Sequence, residues 1–213
     1  MRPVYSPAGC KAPPTDIRGM HQLRAAALGL ALTALTLGAA APESSPLHGT
    51  AHVGTHTAPN VVVWLDAPNL PRSADRRTVV LDQRNLDFWP HVLVVRVGTT
   101  VDFPNNDRVF HNVFSFRDGK VFDLGMYPVG ALKHVTFDRA GLSRIFCNIH
   151  PGMAAYVMAV DSPLFAVSDQ SGTFTIAEVP SGAYQYHAWR PGAQPLSGKW
   201  SATTVAPLAI AWP

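Results

Sequence analysis

Cysteine is nearly absent from this 213-residue chain: Cys10 and Cys147 are the whole complement. Cys10 precedes a leader-like segment, so a processed chain keeps one thiol and forms no internal disulfide. Long apolar runs are scarce too. The longest, roughly Ala25 to Leu37, is too short and too alanine-rich for a span of about 20 residues. Charge is sparse, at 15% of residues. The formal +3 resides in the first 40 residues, where Arg2, Lys11, Arg18 and Arg24 face Asp16. The remainder is formally neutral, so composition gives no case for a nucleic-acid or anionic-membrane partner. No C-x-x-C-H, phosphate-cradling glycine loop, dinucleotide fingerprint or H-E-x-x-H occurs. Beyond the leader no sustained 3.6-residue apolar period appears, which argues against a helical bundle.

The N-terminal segment has the grammar of an export signal. Arg18 and Arg24 form a charged region, the Ala25–Leu37 run follows, and Gly38-Ala39-Ala40-Ala41 offers small residues for cleavage. Residues 1–40 are therefore expected to be a signal peptide. The mature chain begins close to Ala41, is periplasmic or secreted, and keeps no stable membrane insertion.

The rest reads as strands. Val61-Val62-Val63-Trp64-Leu65, Val92–Val97, Thr100–Phe103, Asn112–Phe116 and Lys133–Phe137 are short and rich in β-branched or aromatic residues. Val97-Gly98, Asp118-Gly119, Ala140-Gly141, Ser171-Gly172 and Ser181-Gly182 punctuate them. The expected fold class is all-β, a sandwich or barrel. Residues 77–161 read as one continuous β unit, and 68–77 as a polar linker. After Pro163, Phe174, Ile176, Tyr184 and Tyr186 alternate as though lining one face of a hairpin.

One cluster carries chemistry. Cys147-Asn-Ile-His150-Pro-Gly-Met153 places a thiolate, an imidazole and a thioether on one short segment, and His111 lies upstream. A cysteine sulfur and two histidine nitrogens in a trigonal plane, with a distant axial methionine, form a blue-copper electron-transfer site. The soft sulfurs favour Cu(I) and the imidazoles suit Cu(II). The candidate metal ligands are His111, Cys147, His150 and Met153, for one type 1 copper. The competing readings are a buried structural cysteine, a packing methionine, or a nucleophile, which would need a positioned base and an oxyanion site. Zinc is disfavoured by the thioether and by the lack of a fourth N, O or S ligand. His48, His52 and His56 form an evenly spaced trio, but Gly49, Gly54 and Thr55 oppose the helix that spacing would need.

Residues 77–161 resemble the cupredoxin family, of the plastocyanin and amicyanin type. The matching residues are Leu86-Asp-Phe-Trp-Pro90, Val95-Arg-Val-Gly98, Val101-Asp-Phe103, Asn105-Asn106, His111-Asn112-Val113 and the C-x2-H-x2-M loop. The chain also looks like the small secreted plastocyanin-like proteins labelled as methylamine-utilisation proteins. Ile149 departs from the family, which has proline before the loop histidine. The resemblance implies a Greek-key β-sandwich, His150 as the exposed ligand, and Asn112 tying the His111 strand to the ligand loop. The Phe-x-Val-x-Asp…Gly-x-Phe-x-Ile-x-x-Val-Pro-x-Gly-x-Tyr run from Phe165 resembles a carboxypeptidase-regulatory-like, or transthyretin-like, β domain. Residues 46–70 and 163–213 would then form a smaller discontinuous β unit around the cupredoxin.

The function implied is a one-electron carrier serving redox protein partners and no substrate. The alternative is a periplasmic copper chaperone or storage protein. A copper enzyme would need further histidine-rich sites, and histidines are too dispersed here to build them.

Overall fold

The computed structural model describes residues 43–71, 74–116, 118–203 and 207–213. The expected signal peptide lies outside them. The described residues are strands and turns throughout, so the all-β expectation holds. Ahead of residue 68 come β1 (Ser44–Val53), β2 (His56–Thr57) and β3 (Val62–Asp66). The central stretch supplies β4 (Thr78–Val80), β5 (Asp82–Arg84), β6 (Asp87–Trp89), β7 (Val92–Arg96), β8 (Thr100–Pro104), β9 (His111–Ser115), β10 (Phe122–Tyr127), β11 (Leu132–Thr136), β12 (Gly141–Phe146) and β13 (Ala154–Val160). The last stretch gives β14 (Phe165–Val167), β15 (Thr173–Pro180), β16 (Ala183–Trp189), β17 (Leu196–Ser201) and β18 (Leu208–Trp212).

Eight of the central strands form two facing sheets, ordered β10-β9-β12-β13-β7 and β11-β8-β4, while β5 and β6 pair with each other as a separate antiparallel hairpin. The chain passes repeatedly between them, as in the expected sandwich. Alternation in sequence places the core. His111, Val113 and Ser115 of β9 turn inward, as do Val101 and Phe103 of β8 and Ala155, Val157 and Ala159 of β13. Phe88, Phe103 and Phe137 are fully buried between the sheets. Each such side chain contributes roughly 1.5–3 kcal/mol of apolar burial.

The outer strands make a second sheet pair, ordered β15-β1-β18 and β14-β3-β16-β17. Strands from both ends of the described chain thus share sheets. β1 runs antiparallel to β15 and parallel to β18, and β3 lies between β14 and β16. Phe174, Ile176 and Tyr184 do share one core, but β15 and β16 sit in opposite sheets across it. Their alternation reflects two inward faces meeting, where the sequence suggested one hairpin. Gly49 is required by space, because the Phe174 ring occupies the volume a Cβ would take.

A third apolar cluster joins the two sheet pairs. Val62 of β3 and Trp189 of β16 pack with Val92 of β7 and with Met158 and Val160 of β13. The stretch expected to be a polar linker is pinned at its end. Asp75 is buried, its backbone N–H bonds to the Val97 carbonyl, and its carboxylate accepts from Arg77. Gly98 turns at φ +96°, and a Cβ there would lie 2.6 Å from the Asp75 carbonyl oxygen.

Ser168 stitches the outer unit. Its buried hydroxyl accepts from the Val61 N–H at 2.9 Å and donates to the Ala58 carbonyl at 2.7 Å. Removing it strands two buried backbone groups. Ser168→Ala is expected to lower stability by about 1–3 kcal/mol, read as a shift of the urea unfolding midpoint with an unchanged slope.

Candidate metal centre

The site lies at one end of the sandwich. β12 and β13 form a hairpin whose last pair is Phe146 and Ala154. Cys147 to Met153 is the connecting loop. Backbone bonds close it, from Cys147 N–H to the Met153 carbonyl and from Met153 N–H to the His150 carbonyl, both at 3.2 Å. The second is the i to i+3 bond of a turn with Pro151 and Gly152 at its centre, and Gly152 has φ +86°. Proline then glycine with a positive φ is the signature of a type II turn. The loop is therefore fixed by the strands that bear it and by its own turn chemistry.

His111 enters from β9, fully buried. Its Nδ1 lies 3.8 Å from Cys147 Sγ and 3.0 Å from His150 Nδ1, and His150 Nδ1 is 3.6 Å from the same sulfur. The two imidazoles meet edge to face, with centroids 4.7 Å apart. Cys147 is 7% exposed, whereas His150 is only part-buried and reaches toward solvent. Met153 is 2% exposed and belongs to the same apolar cluster as Cys147. Three donor atoms converging from a buried thiol and two imidazoles suit a soft or borderline metal, and copper fits this set. Among the described residues, they form the one group of three or more such side chains close enough to hold an ion.

Two neighbours fix the frame. The Asn112 side-chain oxygen faces the Asn148 N–H at 3.4 Å, and its amide donates to Asp123. That contact spans from β9 to the ligand loop. Asp107 was not apparent from sequence. Its Oδ2 lies 3.0 Å from His111 Nε2 and accepts from the Leu86 N–H, while Oδ1 accepts from the Arg108 N–H. Burial pushes the Asp107 carboxyl up, but these hydrogen bonds outweigh it and hold it below the usual carboxylate range. A carboxylate on the far nitrogen sets the imidazole's tautomer and orientation, leaving Nδ1 to face the centre. The i, i+4 spacing of Asp107 and His111 carried no signal, because the intervening residues form an irregular loop and not a helix.

The other histidines do different work. His48 bonds Thr175 across strands, His187 stacks on Trp64 with centroids 5.0 Å apart, and His91 meets Tyr156 edge-on. His52 lies on β1, and His56 stands opposite Val53 on β2.

No family model matches the chain. Sandwich and converging donor side chains together define a cupredoxin-like protein. The chain is 30% identical over 83 residues to methylamine utilization protein MauL of Methylorubrum extorquens, covering 38% of this chain and 71% of that relative. It belongs to that protein's family. Solved structures include a purple cupredoxin from Nitrosopumilus maritimus, 27% identical, with a TM-score of 0.35 over 40% of this chain and 100% of that one. Amicyanin from Paracoccus versutus is 23% identical, with a TM-score of 0.35 over 46% of this chain and 97% of that one.

With a metal held by His111, Asp107→Ala is expected to weaken its retention by about 10- to 100-fold, since the partner of a ligating histidine carries that much affinity. Competition against a chelator measures it.

Proposed function

We propose that the chain is an exported electron-transfer protein with one type 1 copper site. The observation that carries this is the buried meeting of one thiol sulfur and two imidazole nitrogens at 3.0–3.8 Å. Cys147, His111, His150 and Met153 would hold the metal. Copper bound there supplies one-electron exchange between Cu(II) and Cu(I). The chain contributes rigidity: the hairpin loop, Asp107 and Asn112 set the ligand positions from outside the donor set. The apolar packing around Cys147 and Met153 keeps water away from the sulfurs. A site that is already assembled needs little rearrangement between oxidation states.

On this reading residues 77–161 are the cupredoxin unit. Residues 46–70 and 163–213 form a carboxypeptidase-regulatory-like β domain around it, and residues 1–40 direct the chain to the periplasm or beyond. The alternative is a copper chaperone or storage protein. Such proteins release metal readily, and a buried, loop-locked cysteine suits retention instead.

Visible and EPR spectra of Cu(II)-loaded protein test the assignment. Cys147→Ser is expected to abolish the intense thiolate band. Met153→Leu keeps the band and raises the potential, because a weak axial donor is lost. A thiolate band that persists in Cys147→Ser would falsify the ligand set.

His150 is the proposed exit for the electron, toward redox protein partners. Around it Ile149 is 41% exposed, and Pro151 and Gly152 are exposed. Ala154, part-buried, completes a small uncharged rim. Redox encounters commonly bury under about 1,200 Å² and separate quickly. Ala154→Asp is expected to leave the visible spectrum unchanged and slow electron exchange with the partner, read by stopped flow. Wild-type exchange with an exposed carboxylate in place would move the exit elsewhere.

A further inference from the structure

β10 is the outer neighbour of the strand that carries His111. Their pairing begins with Phe122 opposite Ser115 and Asp123 opposite Phe114, and then the register shifts. It resumes only at Met126 opposite Asn112 and Tyr127 opposite His111. The position of β10 beside the ligand is thus not inherited from the earlier ladder, and two residue pairs are a short hold. Something else must fix it.

Tyr127 supplies one such hold, beside the Asn105 amide that donates to its carbonyl at 3.2 Å and the Asn112 amide on Asp123. Its ring is buried at 2% exposure in the cluster that contains Cys147. Its hydroxyl donates to the Phe103 carbonyl at 3.0 Å and accepts from Gln83 Nε2 at 2.5 Å. The same Gln83 nitrogen donates to the Pro104 carbonyl at 3.0 Å. Phe103 and Pro104 end β8, in the opposite sheet. The phenol therefore spans the sandwich from the neighbour of His111 to the facing sheet. Gln83 itself is fully buried, and its Oε1 meets no donor among the described residues. A carboxamide buried with one oxygen unpaired is costlier than an apolar residue of the same size.

The hairpin bearing Gln83 also reaches His111 by a second route. Leu86 N–H binds the Asp107 carboxylate that faces His111 Nε2, and Asn106 N–H binds the Gln83 carbonyl at 3.0 Å. We propose that Gln83 and Tyr127 are positioning residues for His111, a buried strut that sets the ligand's strand against the opposite sheet. The inference rests on the copper reading above. It predicts that loss of the phenol oxygen is felt at the metal more than in the fold.

The test compares Tyr127→Phe with Tyr184→Phe. Tyr184 is a buried tyrosine of the outer unit whose hydroxyl donates to the Pro180 carbonyl at 2.7 Å. Each substitution deletes one hydroxyl and keeps its ring. Tyr127→Phe is expected to speed loss of copper to a chelator about 10-fold or more, to alter the EPR spectrum of the Cu(II) form, and to loosen the His111 ring in NMR relaxation of metal-free protein. Tyr184→Phe should leave all three at wild-type values. If Tyr127→Phe fails to fold, Gln83→Met, which keeps the phenol, is put through the same measurements with the same expectation. Wild-type copper retention and His111 ring order in a folded variant would overturn the proposal, reducing the pair to ordinary core packing. Absence of a thiolate band in the loaded wild-type protein would instead defeat the copper reading. The ring-order comparison needs no metal and would still decide the strut.

Discussion

The pairing of β12 with β13 is the constraint on which the site depends. Six cross-strand pairs lead without interruption from Gly141 opposite Ala159 to Phe146 opposite Ala154. The next residues are Cys147 and Met153, already bonded through their backbones. Two candidate ligands are therefore placed by a ladder whose order comes from the sandwich core. His150 follows from the turn between them. Only His111 must be brought from elsewhere, and that task engages Asp107, Asn112 and the strands around β9. The division is economical, because a short loop needs few contacts of its own when its ends are fixed.

Sequence legibility followed the same line. The loop of candidate ligands could be read because its donors are adjacent in the chain and their chemistry is distinctive. The all-β class could be read because short β-branched runs and glycine turns recur throughout. Sheet membership was harder. Val61 to Leu65 is a continuous apolar run, which says only that both faces are covered. The structure shows by what: Val63 and Leu65 face the outer core, while Val62 faces the seam against β7 and β13. Alternation at Phe174, Ile176, Tyr184 and Tyr186 gave the inward faces but not which sheets held them.

The polar residues around the site left the least trace. Gln83 stands in Asp-Gln-Arg, which reads as a solvated surface, yet its side chain is fully buried. Asp107 stands between two asparagines and an arginine in a loop, and nothing in that composition marks it as the partner of an imidazole. Such residues act through three-dimensional closure, where distant backbone groups converge on one side chain. Periodicity records which way a residue faces, and carries nothing about which carbonyl it will meet.

The seam between the sheet pairs bears on how the chain can be divided. Val92, Met158, Val160 and Tyr156 form part of the sandwich's outer surface only in a topological sense, since Val62, Trp64 and Trp189 cover them. Trp189 and Tyr156 meet edge to face with centroids 5.3 Å apart. A gene fragment trimmed to residues 77–161 would expose that patch to water, and it would be prone to stick to its own copies. Anyone wishing to produce the half with the candidate metal site alone would have to redesign this face with polar side chains, or keep the outer strands as its permanent cover.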